Sequence, residues 1–367
     1  MASAQLSRRL LNRTLLRRQL LDAPSPLAVP DAVRQVAGLQ AQVPRDPYIG
    51  LLARLAGFTP GDLTAAISGR VLVRVALMRS TIHLVTATDC QEFRPAVQPA
   101  LDRELFTTAT WSRPIAGLDL EAVLAEARDV LREEPMTAQE LGRRLRERWP
   151  DRDGRAMAYA VRNLETLIQV PPRGLWGQPG QPRYATAGDW LGAGQEGAPR
   201  EPRAAAQALV LRYLAAFGPA AVRDVQAWAG VTRLGEVVES LRPRLRAYAG
   251  PDGRELWDLA DAELGDEDAP APVRFLPEYD NAILGYADRG RILPDGVTFS
   301  SYAARLRPKS VVRGGVLIDG FLRGTWAVWR QDSGEHALHV DPFGEEGWPA
   351  GTVAERGAEL VAFTSRA

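Results

Sequence analysis

One order of predicted elements recurs three times along the chain: three helices followed by a pair of strands. Apolar residues at helical spacing, then two runs of β-branched and apolar residues, produce this order over 7–85. It returns over 119–184 and again over 201–259, as a repeat of pattern and not of sequence. Three helices and a strand pair form a winged helix, so the sequence predicts three winged helices in tandem.

From residue 271 onward the pattern changes to strands, with turns at Asp319-Gly320 and Ser333-Gly334. The predicted strands and the closing helix cover 274–279, 311–318, 321–329, 337–340 and 353–363. We therefore predict a mainly α fold with β structure (α+β) in four parts. These are a first winged helix over 1–118, a second over 119–192, a third over 200–265 and a β-barrel-like domain over 271–367.

Charge is balanced overall but distributed unevenly. The chain has 45 basic and 45 acidic residues, yet residues 1–100 hold 12 Arg against 6 acids, while 251–300 hold 4 Arg against 12 acids. These local balances of +6 and −8 allow two interpretations. The basic part is either a nucleic-acid face or a solvated, arginine-rich helix surface.

Composition excludes several classes of protein. The single cysteine, Cys90, rules out a disulfide framework, a cysteine-ligated zinc site and an iron–sulfur cluster. Three histidines are too few for a convincing metal cage, so we expect neither metal nor cofactor. No apolar run is long enough to span a membrane, and the N-terminus is too rich in arginine for a signal peptide, so we expect a cytoplasmic protein. Lys309 is the only lysine, which leaves one side-chain amine for a Schiff base.

Generic catalytic motifs are missing, but Gln40-Ala41-Gln42 is unusual. The two glutamines flank a small residue where a helix predicted from Pro30 ends, near Pro44. Residues two apart point to different faces of an α-helix, so their side chains converge only if the helix loosens before the proline. Either both amides bond the helix end, or they form a polar site.

Six short stretches together carry a resemblance to a known family. They are Leu11-Asn12-Arg13, 38–44 with Pro47-Tyr48, 78–85, 172–177, 275–281 and 316–320. They resemble the AlkZ/YcaQ family of bacterial DNA glycosylases over nearly the whole chain. Gln40 and Gln42 match the Gln-x-Gln branch, which includes self-resistance proteins against alkylating natural products such as azinomycin B.

The resemblance implies a fold and an activity. The fold is three tandem winged helices around a concave DNA-binding surface, with a C-terminal β domain. The activity is excision of bulky N7-alkylated purines and unhooking of interstrand crosslinks by a monofunctional glycosylase, with Gln40 and Gln42 as catalytic residues. The implied partner is double-stranded DNA carrying N7-alkylpurine adducts or crosslinks, bound by a monomer at the nucleoid.

Glutamine suits this chemistry. N7 alkylation places a positive charge on the purine, so the base leaves neutral without a strong acid. The enzyme then has to stabilise a sugar cation and place a water molecule, and an amide orients water without acting as a base.

The resemblance also implies a set of DNA contacts, each with a structural alternative. They are Arg45, Tyr48, Arg79, Thr81, His83, Arg173, Trp176, Arg330 and His336. Arg79 and Thr81 either meet phosphate or complete a strand pair. His83 either approaches the lesion or lies in the core, and Trp176 either stacks near DNA or packs under a loop. The hairpin tip over 330–336 either reaches a groove or remains away from the DNA.

Two other functions fit three winged helices. A non-enzymatic transcriptional regulator would bind DNA through its recognition helices, and a drug-sequestering resistance protein would need an apolar pocket. A glycosylase releases a base from alkylated duplex DNA, whereas a regulator and a drug-sequestering protein do not, so base release distinguishes these functions.

Overall fold

A computed structural model describes residues 4–192, 201–306, 312–344 and 346–365. The helices are α1 Arg8–Arg18, α2 Val29–Gln35, α3 Asp46–Leu52, α4 Pro60–Ser68, α5 Ala87–Thr107, α6 Ala109–Ser112, α7 Leu120–Glu133, α8 Ala138–Arg148, α9 Gly154–Leu164, α10 Ala187–Leu191, α11 Pro202–Phe217, α12 Val222–Ala229, α13 Gly235–Ser240, α14 Asn281–Leu284, α15 Phe299–Arg305 and α16 Ala350–Thr364. The strands are β1 Leu39–Gln40, β2 Leu72–Ala76, β3 Ile82–Thr86, β4 Met136–Thr137, β5 Leu167–Val170, β6 Arg183–Thr186, β7 Leu245–Ala249, β8 Glu255–Leu259, β9 Arg274–Pro277, β10 Val312–Ile318, β11 Phe321–Arg330 and β12 His336–Pro342.

Capping residues fix several helix starts where the sequence predicts them. Helix α8 begins with a capping box, in which Thr137 accepts from the Glu140 backbone and Glu140 accepts from the Thr137 backbone. At the start of helix α4 the Asp62 carboxylate accepts from both the backbone N–H and the hydroxyl of Thr59. The capping box of α8 satisfies two backbone donors that the first helical turn leaves unpaired.

One six-stranded sheet unites the strands of the first two predicted units. Its order is β1-β3-β2-β5-β6-β4, and every pair in it is antiparallel. The join is the pairing of β2 with β5, in which Arg74 lies opposite Gln169. The two predicted units therefore share one continuous sheet.

The C-terminal strands form an open sheet, which corrects the prediction of a β-barrel-like domain. Antiparallel strands run in the order β12-β11-β10-β9, so β12 and β9 are edges and the sheet does not close. Helix α16 packs against this sheet, and Gly357 allows it to approach Leu338 closely. Because a helix covers the apolar face, the strands do not need to curl into a barrel to bury it.

The helix predicted from Pro30 to near Pro44 is shorter than expected. Helix α2 ends at Gln35, after which Ala37 and Gly38 adopt positive φ values of 59° and 87°. A side chain at Gly38 would lie 2.7 Å from the Val85 methyl group, so only glycine fits there. The chain then enters β1 beside β3, so Gln40 is extended, and Gln42 lies in a bend two residues later; neither glutamine is helical.

Candidate active site

The Gln-x-Gln segment runs along the edge of the six-stranded sheet. Gln40 lies opposite His83 of β3, and the Ala41 backbone N–H donates to the Ile82 carbonyl at 2.7 Å. Gln42 follows this strand in a bend, and its side chain returns to the Ile82 backbone of the same neighbouring strand. No loosened helix end is therefore needed at this segment.

Gln40 is largely buried and its amide is held by Arg79. The Arg79 Nη2 donates to Gln40 Oε1 at 2.8 Å, and Gln40 is 8% exposed. A guanidinium only donates, so this contact identifies which end of the amide is the oxygen. The carbonyl oxygen has two lone pairs, and one of them remains for a further donor such as water.

Gln42 is exposed, in contrast with Gln40. Its Oε1 accepts from the Ile82 backbone N–H at 3.2 Å. This bond fixes which end of the amide is the oxygen and leaves a second lone pair of that oxygen unused. The two glutamines therefore offer oriented amides, one buried and one at the surface.

The segment is held by side chains from distant parts of the sequence. The Asn281 amide donates to the Gly38 carbonyl at 2.6 Å, and Arg74 Nη2 donates to the Ala41 carbonyl at 2.9 Å. Arg79 adds a third donor through its bond to the Gln40 side chain, so residues 38–42 are held at three points. Such fixed positioning is what a site needs to hold a water molecule against a reacting carbon.

Arg79 points into the protein in this structure. It has a left-handed φ of 55°, its Nη1 donates to the Trp228 carbonyl at the end of α12, and its backbone packs against Gly230. Burial, and then the nearby charge of Arg289, lower the pKa of Arg79 to about 10, so it stays charged at neutral pH. The expected phosphate contact by Arg79 stays a prediction.

Arg74 is a site residue that the sequence analysis missed. It is 2% exposed on β2, and its Nε and Nη1 have no hydrogen-bond partner among the described residues. Burial is the main cause that lowers its pKa to about 10, followed by the charge of Arg173. The sequence feature that could have identified Arg74 is its position as a charged residue within the apolar run Val71-Leu72-Val73-Arg74-Val75.

His83 is fully buried beneath the segment. Its Nδ1 donates to the Thr81 carbonyl at 3.0 Å, because a carbonyl only accepts, and Nε2 has no partner among the described residues. Burial, and then the charge of Arg79, lower the pKa of His83 to about 3, so the ring is neutral. A direct contact with DNA would require this side chain to become exposed.

Arg45, Tyr48 and Trp176 lie together. The Tyr48 and Trp176 rings are 4.8 Å apart, and the Arg45 guanidinium lies over Trp176 at 5.8 Å. Tyr48 is 1% exposed and donates to the Gly174 carbonyl, while Trp176 also packs against Phe363 of α16. These contacts match the packing alternative for Trp176, and of the three only Arg45 carries a charge that suits a phosphate.

The other predicted contacts are spread over two regions. Thr81 is half-buried and donates to the Met78 carbonyl, and Arg173 donates to the Gly180 carbonyl at 2.7 Å. Arg330 and His336 face each other across β11 and β12, and Arg330 is exposed. The hairpin that carries them is separate from the sheet that carries the glutamines.

A cavity of about 470 Å³ opens beside Gln42 between the first two units. Its walls are Gln42, Arg74, Arg79, Ser80, Ile82, Glu104, Tyr159, Arg162, Gln169, Arg173, Pro182 and Tyr184. Four arginines face one carboxylate, so the cavity attracts electron-rich groups. Arg79 donates to Gln40 and lines the same cavity as Gln42, so Arg79 connects Gln40 to this cavity.

Within 4–192, 201–306, 312–344 and 346–365, no three His, Cys, Asp or Glu side chains are grouped as metal ligands. None of the helices in the described part of the chain is long and apolar enough to cross a membrane.

Comparison with known proteins gives concordant results. The sequence profile of the family "DNA glycosylase AlkZ-like" matches residues 33–365. The "Interstrand DNA cross-link repair glycosylase" of Streptomyces sahachiroi is 23% identical over 371 residues, covering 94% of this chain and 93% of that protein. The solved structure of the Streptomyces sahachiroi DNA glycosylase AlkZ superposes with a TM-score of 0.79 at 20% identity, covering 98% of this chain and 97% of the other.

Proposed function

The chain belongs to the AlkZ-like DNA glycosylase family, and on that premise we propose that it excises bulky N7-alkylated purines from double-stranded DNA by hydrolysing the N-glycosidic bond. The observation that carries this proposal is the pair of oriented amides at Gln40 and Gln42, fixed by Arg79 and by the Ile82 backbone.

Neutral amides suit a cationic leaving group. An N7-alkylated purine departs as a neutral base, so no side chain has to protonate it. The partial negative charge on each amide oxygen favours the developing cation on the sugar, and the unused lone pair accepts a hydrogen bond from the attacking water, whose proton passes to bulk water after the new C–O bond forms. Gln40 and Gln42 are the catalytic residues of this proposal, and Arg79 is a positioning residue that acts through Gln40.

We extend the substrate to interstrand crosslinks and the role to self-resistance against a genotoxic natural product. The support is the Gln-x-Gln pattern and the likeness to the interstrand DNA cross-link repair glycosylase of Streptomyces sahachiroi. In this proposal the protein acts as a monomer, with three winged helices forming a concave surface for DNA. Family membership does not favour a purely regulatory winged-helix protein.

The proposed reaction leaves an abasic site and no strand break. A lyase step would need an amine to form a Schiff base with the sugar, and the one lysine, Lys309, lies outside the described residues. Its Arg-Pro-Lys-Ser surroundings are polar and contain no apolar stretch that would lower the pKa of an amine by burial.

The test is single-turnover release of N7-alkylguanine from a duplex. Gln40→Ala and Gln42→Ala should each reduce the rate by about 10²-fold or more, which is typical for loss of a positioned catalytic group. Gln207→Ala is the matched control, because this half-buried glutamine of α11 donates to Ser240 on α13, away from the Gln-x-Gln segment. Wild-type rates in both Gln40→Ala and Gln42→Ala would contradict the assignment.

A further inference from the structure

A row of three polar side chains crosses the middle of the six-stranded sheet. Arg74 of β2 lies opposite Gln169 of β5, and Gln169 lies opposite Tyr184 of β6. Residues directly opposite each other on antiparallel strands point to the same face. All three side chains line the cavity beside Gln42.

This polar row is buried, yet part of its hydrogen-bonding capacity is unused. Arg74, Gln169 and Tyr184 are 2%, 6% and 8% exposed. Gln169 donates to the Tyr184 hydroxyl at 3.2 Å, but Gln169 Oε1 has no partner among the described residues, and neither do Arg74 Nε and Nη1. Buried polar groups without partners are costly, so an arrangement of donors and an acceptor in one row indicates a ligand that supplies the missing partners.

The chemistry of the row favours a nucleobase over a phosphate. A phosphate has only acceptors, so it would pair with Arg74 but not with the Gln169 oxygen, which is free while the amide nitrogen donates to the Tyr184 hydroxyl. A purine edge carries acceptors and donors side by side, which matches a guanidinium next to an amide oxygen and a hydroxyl. The cavity volume of about 470 Å³ lies within the roughly 300–1,000 Å³ of small-molecule sites.

We propose that this cavity binds the damaged purine after it has rotated out of the duplex, with its Watson–Crick edge against the row Arg74, Gln169 and Tyr184. The inference rests on the proposed glycosylase function and adds its base-recognition site. Arg162 and Arg173, which are half-buried on the cavity wall, then face the neighbouring phosphates.

This orientation also accounts for tolerance of bulky substituents. In a guanine, N1 and the 2-amino group lie on the Watson–Crick edge, whereas N7 lies on the opposite, major-groove edge. Binding through the Watson–Crick edge therefore directs an N7 substituent away from the row. The size of the alkyl group is then not limited by Arg74, Gln169 or Tyr184.

The experiment separates base rotation from catalysis. A duplex with 2′-fluoro-N7-methylguanine, which resists hydrolysis, is paired with pyrrolocytosine, whose fluorescence rises when its partner leaves the stack. The full-length protein should raise this fluorescence. In parallel, Gln169→Leu and Tyr184→Phe should each lower single-turnover release of N7-methylguanine about tenfold, with unchanged affinity for undamaged duplex.

Tyr248→Phe is the matched control, since Tyr248 is a buried tyrosine of β7 outside the cavity. Tyr184→Phe removes only the hydroxyl and keeps the ring, so its release rate tests the base pocket even if Gln169→Leu lowers the melting temperature. Unchanged fluorescence with wild-type protein, or wild-type release rates in Tyr184→Phe, would overturn the base pocket. Absence of base release by wild-type protein would instead overturn the proposed function, and the two failures are therefore distinct.

Discussion

The guanidinium of Arg79 links Gln40 to the end of helix α12. One nitrogen donates to Gln40 Oε1 at 2.8 Å, and another donates to the Trp228 carbonyl. The orientation of the proposed catalytic amide of Gln40 therefore depends on the backbone of Trp228, which lies more than 180 residues later in the chain.

Replacing Arg79 should impair catalysis more than it impairs folding. Arg79→Ala frees the Gln40 amide to rotate, and misplacement of a catalytic group by about 1 Å can cost 10²-fold in rate. We expect a fall of about that size in single-turnover release of N7-methylguanine. Arg103→Ala is the control, because Arg103 also donates to the α12 loop, at Gly230, without a hydrogen bond to Gln40. Equal losses in both variants would show that only the loop contact matters.

Gly174 tests the role of Arg74. A side chain there would lie 2.4 Å from Arg74 Nη1 and 2.7 Å from Cδ, so Gly174→Ala should displace the guanidinium that holds the Ala41 carbonyl. We expect release of N7-methylguanine to fall about tenfold or more.

Gly180→Ala is the matched control for Gly174→Ala. Both glycines have positive φ, +99° and +138°, so both variants carry backbone strain of about 1–3 kcal/mol. Nothing lies within 4 Å of a side chain at Gly180. A difference between the two release rates at similar melting temperatures therefore reflects the contact with Arg74. Equal release rates would show that Arg74 does not contribute to the site.

Local patterns predicted much of the fold. Strands β2 and β3 form the strand pair that the two runs of β-branched and apolar residues predict at the end of the first unit. The helix from Pro30 was overextended because Val33, Val36 and Leu39 keep helical spacing through a turn. That turn needs a positive φ at Ala37, which an alanine does not signal.

The candidate site was predictable only in part. Gln40 and Gln42 stand out in the sequence, but their partners come from Arg74, Arg79 and Asn281 through strand register and packing. The row of Arg74, Gln169 and Tyr184 exists only because β2 pairs with β5. Such long-range pairings leave no periodic signal in the sequence, so resemblance to a family indicated the glutamines and only the structure placed the rest.

DNA affinity should depend strongly on salt and weakly on sequence. Exposed Arg330 on β11 is an expected phosphate contact, so Arg330→Ala should lower the slope of log affinity against log salt by roughly one. Arg356→Ala, which removes an exposed arginine already paired with Glu359, should leave the slope unchanged. Binding of two unrelated duplexes across a salt series measures both effects. A strong preference for one duplex would support a regulator, and a flat salt response would contradict backbone contacts.

The absence of lyase chemistry can be tested through the single lysine. Borohydride should trap no covalent complex between the protein and DNA through a side chain, because monofunctional hydrolysis forms no Schiff base. A lyase known to use lysine serves as the positive control, and an N-terminally blocked protein excludes the α-amine. Trapping that disappears in Lys309→Arg would contradict a monofunctional mechanism.

Buried His83 should make folding stability depend on acidity. Its pKa is about 3 in the folded protein and about 6.5 in an unfolded chain. Below pH 6.5 the unfolded state binds a proton at His83 that the folded state does not bind. The free energy of unfolding therefore falls as pH drops from 6.5 toward 3. Between pH 7.5 and pH 5 this costs the wild type about 2 kcal/mol, which His83→Leu should not lose. Urea unfolding of both proteins at these pH values measures the difference. Parallel stability curves would show that His83 is accessible to protons in the folded state, and an exposed His83 would again be available to contact DNA.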